Sequence, residues 1–481
     1  MTAVIGIDLG TSGVKAVLAD DGGVIAEASR KIAVSVPRPG WSEQDPRLWV
    51  EAAFACLDDL AAGGRLAPVR AIGLSGQMLG VVLLDEAGRP VRPAMLWNDQ
   101  RAVEECTALA RAVPDIGRRT NGRPDPGLPA PKLLWLARHE PDALARARML
   151  LLPKDYLRLA LTGTRATEPT DAGGTQLFDV AAGDWDSGLC AAAGWRAEFL
   201  PPVTDSWAAA GTLRGDLARR WGMTGEVPVA AGAGDNMAAT LGMGAGRPGE
   251  AVVTIGTSGV ACLVDSAFHP APEVAVLTSA HAAPRVFLSM GVVMSATQTL
   301  EWLAGIAGVT AAELDAGATA LVEAGRAAHA PVMLPALTGV RTPLGRPDLA
   351  GRIAGLRPGT DRAMLAYAVM EGVAFQLADC VAAQTGAGVP FDRLAVVGGG
   401  ARSRLWVRLV ATALGRPAEL PAMAPVAACL GAARLARVAA GLDPPGALRA
   451  AMPAPETVIG PEPGLERLLS ARRPAFEALL G

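Results

Sequence analysis

The sequence predicts an α/β chain made of two domains that repeat one plan. Three observations carry the prediction. Short apolar strands alternate with stretches of helical periodicity. The pentapeptide Gly-Thr-Ser-Gly-Val occurs at 10–14 and again at 256–260, each time between two apolar strands. And 481 residues exceed what one ordinary core accommodates, which points to two or three domains.

The elements follow in order. Val4 to Ile7 and Val14 to Ala19 are apolar runs joined by Leu9-Gly10-Thr11-Ser12-Gly13, the pattern of a β-hairpin. Val24 to Ala28 reads as a third strand after Asp20-Asp21-Gly22-Gly23. Pro46 to Ala62 then places Leu48, Ala52, Cys56 and Leu60 at helical spacing. The opening recurs mid-chain: Ala251 to Ile255 reads as a strand, Gly256-Thr257-Ser258-Gly259 as the turn and Val260 to Val264 as the returning strand. A glycine-rich hinge at 244–249 separates the copies, giving domains 1–245 and 246–481. The second half closes with a long helix from about Asp361 to Gln384, a strand Leu394 to Val397, the run Gly398-Gly399-Gly400, and helices at about Ser403 to Leu414 and Val426 to Ala440.

Composition narrows the function. Hydrophobic residues make up 51% and charged residues 19%, as in a globular chain. The net charge is −3 with basic residues scattered, so there is no electrostatic footprint for nucleic acid or an anionic membrane, and a small-molecule partner is expected. Only Lys15, Lys31, Lys132 and Lys154 are lysines among 44 basic residues, which reads as compositional bias. The six cysteines show no C-x-x-C spacing and read as buried free thiols. With no basic leader and no apolar run of the ~18 residues a span requires, the expected location is the cytoplasm.

Phosphate recognition needs several backbone N–H groups aimed at one spot, and turns of Gly and small hydroxyl residues supply them. Gly10, Thr11 and Ser12 form one such turn and Gly256, Thr257 and Ser258 another; a single copy alone would read as an ordinary hairpin turn. Asp8, at the end of an otherwise apolar strand, is placed to hold Mg²⁺, against the alternative of a turn cap. Lys15 either reaches the phosphates or points outward from its strand. Gly399, Gly400 and Ala401 follow an apolar strand and let a nucleotide approach the backbone. Asp235 begins a helix-like stretch, where it reads as an N-cap or as the carboxylate that takes a proton from a hydroxyl. Gln77, Met78 and Leu79, and Trp97, Asn98 and Asp99, offer a stacking ring and hydroxyl partners suited to a sugar; the bland alternative is a core Trp before a polar helix start.

Together these residues resemble the FGGY family of carbohydrate kinases over essentially the whole chain, and within it the xylulokinase branch. Gly6-Ile7-Asp8-Leu9-Gly10-Thr11-Ser12 and Thr254-Ile255-Gly256-Thr257-Ser258 are similar to the family's two phosphate motifs. Val397-Gly398-Gly399-Gly400-Ala401-Arg402-Ser403 resembles its adenosine motif, which brings in Arg402. Gly232-Ala233-Gly234-Asp235-Asn236 resembles the segment that carries the base, which implies that role for Asp235 and a substrate contact for Asn236. Gly127-x-Pro129-x-x-Lys132-Leu133-x-Trp135 and Leu152-Pro153-Lys154-Asp155-Tyr156-Leu157 also fit family wording. Leu79 departs from it: the xylulokinase branch carries a histidine there that contacts the sugar, and Met364 stands where a polar residue is usual.

The resemblance implies two ribonuclease H-like domains of the actin and hexokinase type closing on ATP, Mg²⁺ and a small sugar. The expected reaction is phosphorylation of D-xylulose to D-xylulose 5-phosphate. Other ketoses or polyols of the ribulose, fuculose or erythritol type are the alternative, and dimers are common in the family, which leaves a homodimer open. A reading of another class, an ATPase switch of the actin or Hsp70 type, would lack a role for the sugar-like segments.

Overall fold

The computed structural model describes residues 2–421 and 426–481. In the first half, β1 (Ala3–Leu9), β2 (Gly13–Asp20) and β3 (Gly23–Lys31) form an antiparallel meander. Helix α1 (Pro46–Ala61) packs on it, starting with Asp45 as N-cap and Pro46 in the first turn. β4 (Val69–Gly76) joins β1 in parallel. β5 (Pro228–Ala230) and β6 (Ala233–Gly234) then pair in parallel with β4, and Ala209–Thr212 closes the edge.

The second sheet repeats this plan. β7 (Gly249–Ile255), β8 (Gly259–Asp265) and, beyond a short edge strand β9 (Leu277–Ala280), β10 (Phe287–Val293) are antiparallel, with β8 between β7 and β10. β11 (Phe391–Val397) then pairs in parallel with β7, and β12 (Ala418–Leu420) in parallel with β11. In each sheet the first strand therefore sits between its antiparallel hairpin partner and a parallel strand, and it ends in a Gly-Thr-Ser-Gly turn. This is the two-domain α/β architecture that the repeated pentapeptide predicts.

Both strands that feed these turns are mostly apolar and covered on two faces, though β7 also carries the buried Glu250 and the partly buried Thr254. In β1 the exception is Asp8, half-buried among fully covered neighbours. Burying an ionisable group in such a strand costs free energy that needs polar partners to offset it.

Helix α2 (Asp235–Gly242) leaves β6 directly. The long helix α3 (Arg362–Gly386) runs through the second core; it is long and apolar enough to cross a membrane, but 83% of that stretch is buried inside the protein, so it is a core helix. The last part of the chain then returns to the first half. After α4 (Arg404–Leu414), helix α5 (Ala427–Ala439) lies across β1, β4 and α2. Its approach depends on glycine: a Cβ on Gly6 would lie 1.9 Å from the Cys429 carbonyl oxygen, and one on Gly73 1.8 Å from that of Ala432. Helix α5 thus backs the two strands that carry Asp8 and Ser75.

Candidate active site

Asp8 is the first element of the site. It pairs in register with Lys15 across the hairpin and with Ser75 on β4. The Ser75 hydroxyl donates to Asp8 Oδ1 at 2.8 Å. Burial raises the Asp8 carboxyl above its ordinary value, opposed by the Ser75 hydrogen bond and the Lys15 charge.

Asp235 is the second. As the first residue of α2 it follows Gly234, and its Oδ1 accepts from the Asn236 backbone N–H at 2.8 Å and from Asn236 Nδ2 at 3.1 Å. Its Oδ2 has no hydrogen bond among the described residues. Burial, and after it the negative charge of Asp8, push this carboxyl up to about 7. A carboxyl titrating near neutrality with one oxygen uncommitted suits proton transfer.

The sugar-like segments meet the first turn. Trp97, 48% exposed, donates its indole N–H to Thr11 Oγ1 at 2.9 Å, and the Thr11 hydroxyl donates to Gln77 Oε1 at 3.0 Å. Gln77 is buried and donates to Gln44 Oε1 at 3.1 Å, while Gln44 donates to the Thr11 carbonyl at 2.7 Å. Met78 lies against the segment that leads into Asp235, for a Cβ on Gly234 would fall 2.6 Å from its sulfur. Leu79 has φ 68°, in the left-handed region, and its side chain covers Gly174, where a Cβ would lie 2.5 Å away. Asn98 and Asn236 are exposed.

Asp99 departs from expectation. It is fully buried and both oxygens are occupied, Oδ2 by the Ser42 N–H at 2.7 Å and by Arg101, Oδ1 by the Arg101 N–H and Nε. Arg101 also reaches Glu43 at 2.7 Å. Asp99 is therefore not a hydroxyl partner facing a sugar; it ties down the loop from which Trp97 projects.

The second turn and the third glycine run form a cluster in the other domain. The Ala296 N–H donates to the Thr257 carbonyl and the Thr297 N–H to that of Gly256, both at 2.8 Å. Gly398 has φ 95°, and a Cβ on Gly400 would fall 2.3 Å from Ile255 Cγ2, so the run lies directly against the end of β7. A Cβ on Gly399, by contrast, meets nothing within 4 Å, and Arg402 is exposed. Thr257 is exposed, with Gly256, Ser258 and Ala401 partly so. Helix α4 starts beyond, capped by Ser403, whose hydroxyl accepts from the Trp406 N–H at 3.0 Å and donates to Asp315.

Sequence reasoning treated Lys132 and Lys154 only as parts of matching segments, yet both are wholly buried. Lys132 Nζ donates to the carbonyls of Gly127 at 2.5 Å, Leu96 at 2.7 Å and Leu79 at 3.0 Å, joining the three segments that flank Trp97 and Leu79. Burial lowers its pKa to about 7, against the pull of Asp99 and Asp125. The signal was present in the sequence: in a chain that otherwise uses arginine, a lysine inside an apolar helix marks a place where a compact ammonium is required. Gln44 and Thr170 carried no such signal, and Ser75 was read only as part of a segment suited to a sugar.

A single carboxylate beside a partly exposed Gly-Thr-Ser turn fits Mg²⁺, which keeps much of its water shell and takes its remaining ligands from phosphates. Among the described residues no group of three or more His, Cys, Asp or Glu forms a dedicated metal cage. The Asp8 charge, after burial, raises Asp235, and a cation held at Asp8 would relieve that effect.

The family model described as the FGGY family of carbohydrate kinases, N-terminal domain, matches residues 3–242, and the one described as the C-terminal domain of that family matches 251–440. The xylulose kinase of Escherichia coli (strain K12) is 40% identical over 437 residues, 91% of this chain and 90% of that protein. The xylulose kinase of Klebsiella pneumoniae is 39% identical, with 92% of each chain covered. The crystal structure of a xyloylose kinase from Brucella ovis superposes with a TM-score of 0.94 at 41% identity, covering 99% of this chain and 98% of that one.

Proposed function

The chain belongs to the FGGY family of carbohydrate kinases, and from that premise we propose that it phosphorylates D-xylulose with ATP, giving D-xylulose 5-phosphate. The observation that carries the proposal is the Asp235 carboxyl, titrating near 7 beside Asp8 with Oδ2 free of any hydrogen bond among the described residues. The similarity to xylulose kinases over nine-tenths of both chains supports the choice of sugar.

In this reading Asp235 accepts the proton of the attacking hydroxyl as its oxygen bonds to the γ-phosphorus and the bond to the ADP oxygen breaks. Trp97 offers its exposed face to the C–H side of the sugar. Met78 and Leu79 form an apolar wall, and Asn236 and Asn98 supply amide groups for its hydroxyls. Thr11, Ser12 and Lys15 face one end of the triphosphate, and Gly256, Thr257 and Ser258 the other. Gly399, Gly400, Ala401 and Arg402 receive the adenosine, where the bare Gly399 backbone leaves room. Asp8 is the residue that would hold Mg²⁺; when bound, the cation would offset charge on the phosphoryl oxygens. The working division is 1–245 for the sugar and 246–481 for the nucleotide, with α5 crossing back.

The experiment is an ADP-release assay over pentuloses, hexuloses and polyols, with 1-deoxy-D-xylulose included because Leu79 offers that wall no hydrogen bond. D-Xylulose is expected to give the highest kcat/KM. ATP turnover that no polyol stimulates would overturn the kinase reading, and a clear preference for another ketose would overturn the sugar.

A further inference from the structure

Between Ala166 and Thr175 lies a largely polar stretch, buried at every residue but Pro169, that no role above explains. Its hub is Glu168. One carboxylate oxygen accepts from Lys154 Nζ at 3.1 Å, from the Thr170 hydroxyl at 2.9 Å and from the Asp171 N–H at 3.2 Å; the other accepts from the Thr170 N–H at 2.7 Å and the Ser206 hydroxyl at 2.8 Å. Lys154 also pairs with Asp155 at 2.8 Å and Asp171 at 3.1 Å, and Arg158 pairs with Asp155 at 3.0 Å.

Three acids thus share two bases without solvent. Burial raises Asp171, so this carboxyl holds a proton where an exposed one would not. Such a cluster is a poor stabiliser, because desolvating the charges cancels most of what their pairing returns. What it supplies is fixed geometry.

We propose that Thr170 is a positioning residue for Asp235. Its hydroxyl, held by Glu168, accepts the Gly234 N–H at 2.9 Å, the amide immediately before the proposed base. The rest of that approach is braced by the same group of residues: Arg158 donates to the Ala231 carbonyl at 2.8 Å, and the Gly232 N–H donates to the Ser206 carbonyl at 2.9 Å. Because Asp235 Oδ1 is tied to Asn236 within its own helix turn, the direction of Oδ2 follows the backbone at Gly234. The Thr170 carbonyl also accepts from Ser279 Oγ on β9, at 3.2 Å. Thr170 therefore joins the base segment, the ion cluster and the second sheet. The inference rests on Asp235 being the base.

Thr170→Val keeps the shape and removes the acceptor, whereas Thr170→Ser keeps both the acceptor and the donor. The valine variant is expected to lose at least about 10-fold in kcat while KM for sugar and for ATP stays within about 2-fold, and the serine variant to recover to within about 3-fold of wild type. In the Asp235→Asn background, Thr170→Val should slow turnover no further, which a purely structural role would not produce. If the valine variant is not recovered folded, Thr170→Cys, a weak acceptor of similar size, takes its place and should be slower than Thr170→Ser. Valine or cysteine variants as fast as the serine variant, or a further loss in the double variant, would overturn the positioning role. A fast Asp235→Asn single variant would instead overturn the assignment of the base on which it rests.

Discussion

The indole N–H of Trp97 donates to the Thr11 hydroxyl at 2.9 Å, and that hydroxyl in turn donates to Gln77 Oε1. The segment proposed to stack on the sugar and the turn proposed to hold phosphate therefore share one oxygen atom. Trp97→Phe keeps an aromatic face and deletes that link. A neutral hydrogen bond contributes about 1 kcal/mol, roughly 5-fold in an equilibrium, so KM should rise about that much for the sugar and, through Thr11, also for ATP. Initial rates with each substrate varied in turn check this; a change confined to the sugar would show that the two subsites are not coupled through Thr11.

Lys132 should be irreplaceable by its nearest chemical relative. Lys132→Met removes the donor to the carbonyls of Leu79 and Gly127 and leaves that of Leu96 with only the Asp99 N–H, and Lys132→Arg cannot fit a planar fork where an ammonium reaches three oxygens. Each unsatisfied carbonyl costs about 1–3 kcal/mol, so both variants should lose at least about 2 kcal/mol in denaturant unfolding and bind the sugar more weakly. An arginine variant of wild-type stability would contradict this account of the loop.

Much of this was legible in the sequence, and the failures have physical reasons. The hairpin around Gly10 to Gly13 and its copy at 256–259 were readable because apolar runs on both sides of a glycine turn leave few alternatives. Helix ends at Pro46 and Ser403 were readable because proline and serine have fixed positional meanings there. Asp99 was misplaced because its partners Ser42 and Arg101 act through a fold that local pattern does not reveal; the same Asp-x-Arg spacing on a surface would leave the carboxylate free. Thr170 and Glu168 were missed because a short polar stretch reads as a loop, and only the structure shows it enclosed. The return of α5 to the first sheet was likewise invisible, since its docking surface is bare backbone at Gly6 and Gly73.

Asp8→Ala should weaken Mg²⁺-dependent turnover by about 10²-fold or more, the scale for removing a group that acts on the transferring phosphoryl, while sugar binding without nucleotide stays within a few-fold. It should also bring Asp235 down toward the ordinary carboxyl range, because one of the causes of its elevation is gone. Calorimetry with sugar alone provides the check. An equal loss of sugar affinity would move Asp8 out of the metal role.

Asp235 should also leave a signature in stability. Its pKa in the folded state, about 7, lies above its ordinary 3.8, so between these values the native state binds a proton that the unfolded chain does not. That contribution is fully present below pH 3.8 and is lost as pH rises through 7. Asp235→Asn removes the penalty, so the Tm of the variant minus that of the wild type should be near zero at pH 4 and positive at pH 8. A variant less stable than wild type at pH 8 would mean that the carboxylate is favourably solvated there.

The most direct test of the account is the turnover number of Asp235→Asn with D-xylulose, ATP and Mg²⁺, measured alongside its affinity for ATP. The amide preserves the size of the side chain and can still accept the Asn236 N–H, so the fold and ATP binding should be retained. With the base gone, kcat should fall by about 10²-fold or more. A folded variant that binds ATP normally and turns over within a few-fold of wild type would contradict the central claim that Asp235 takes the proton from the sugar.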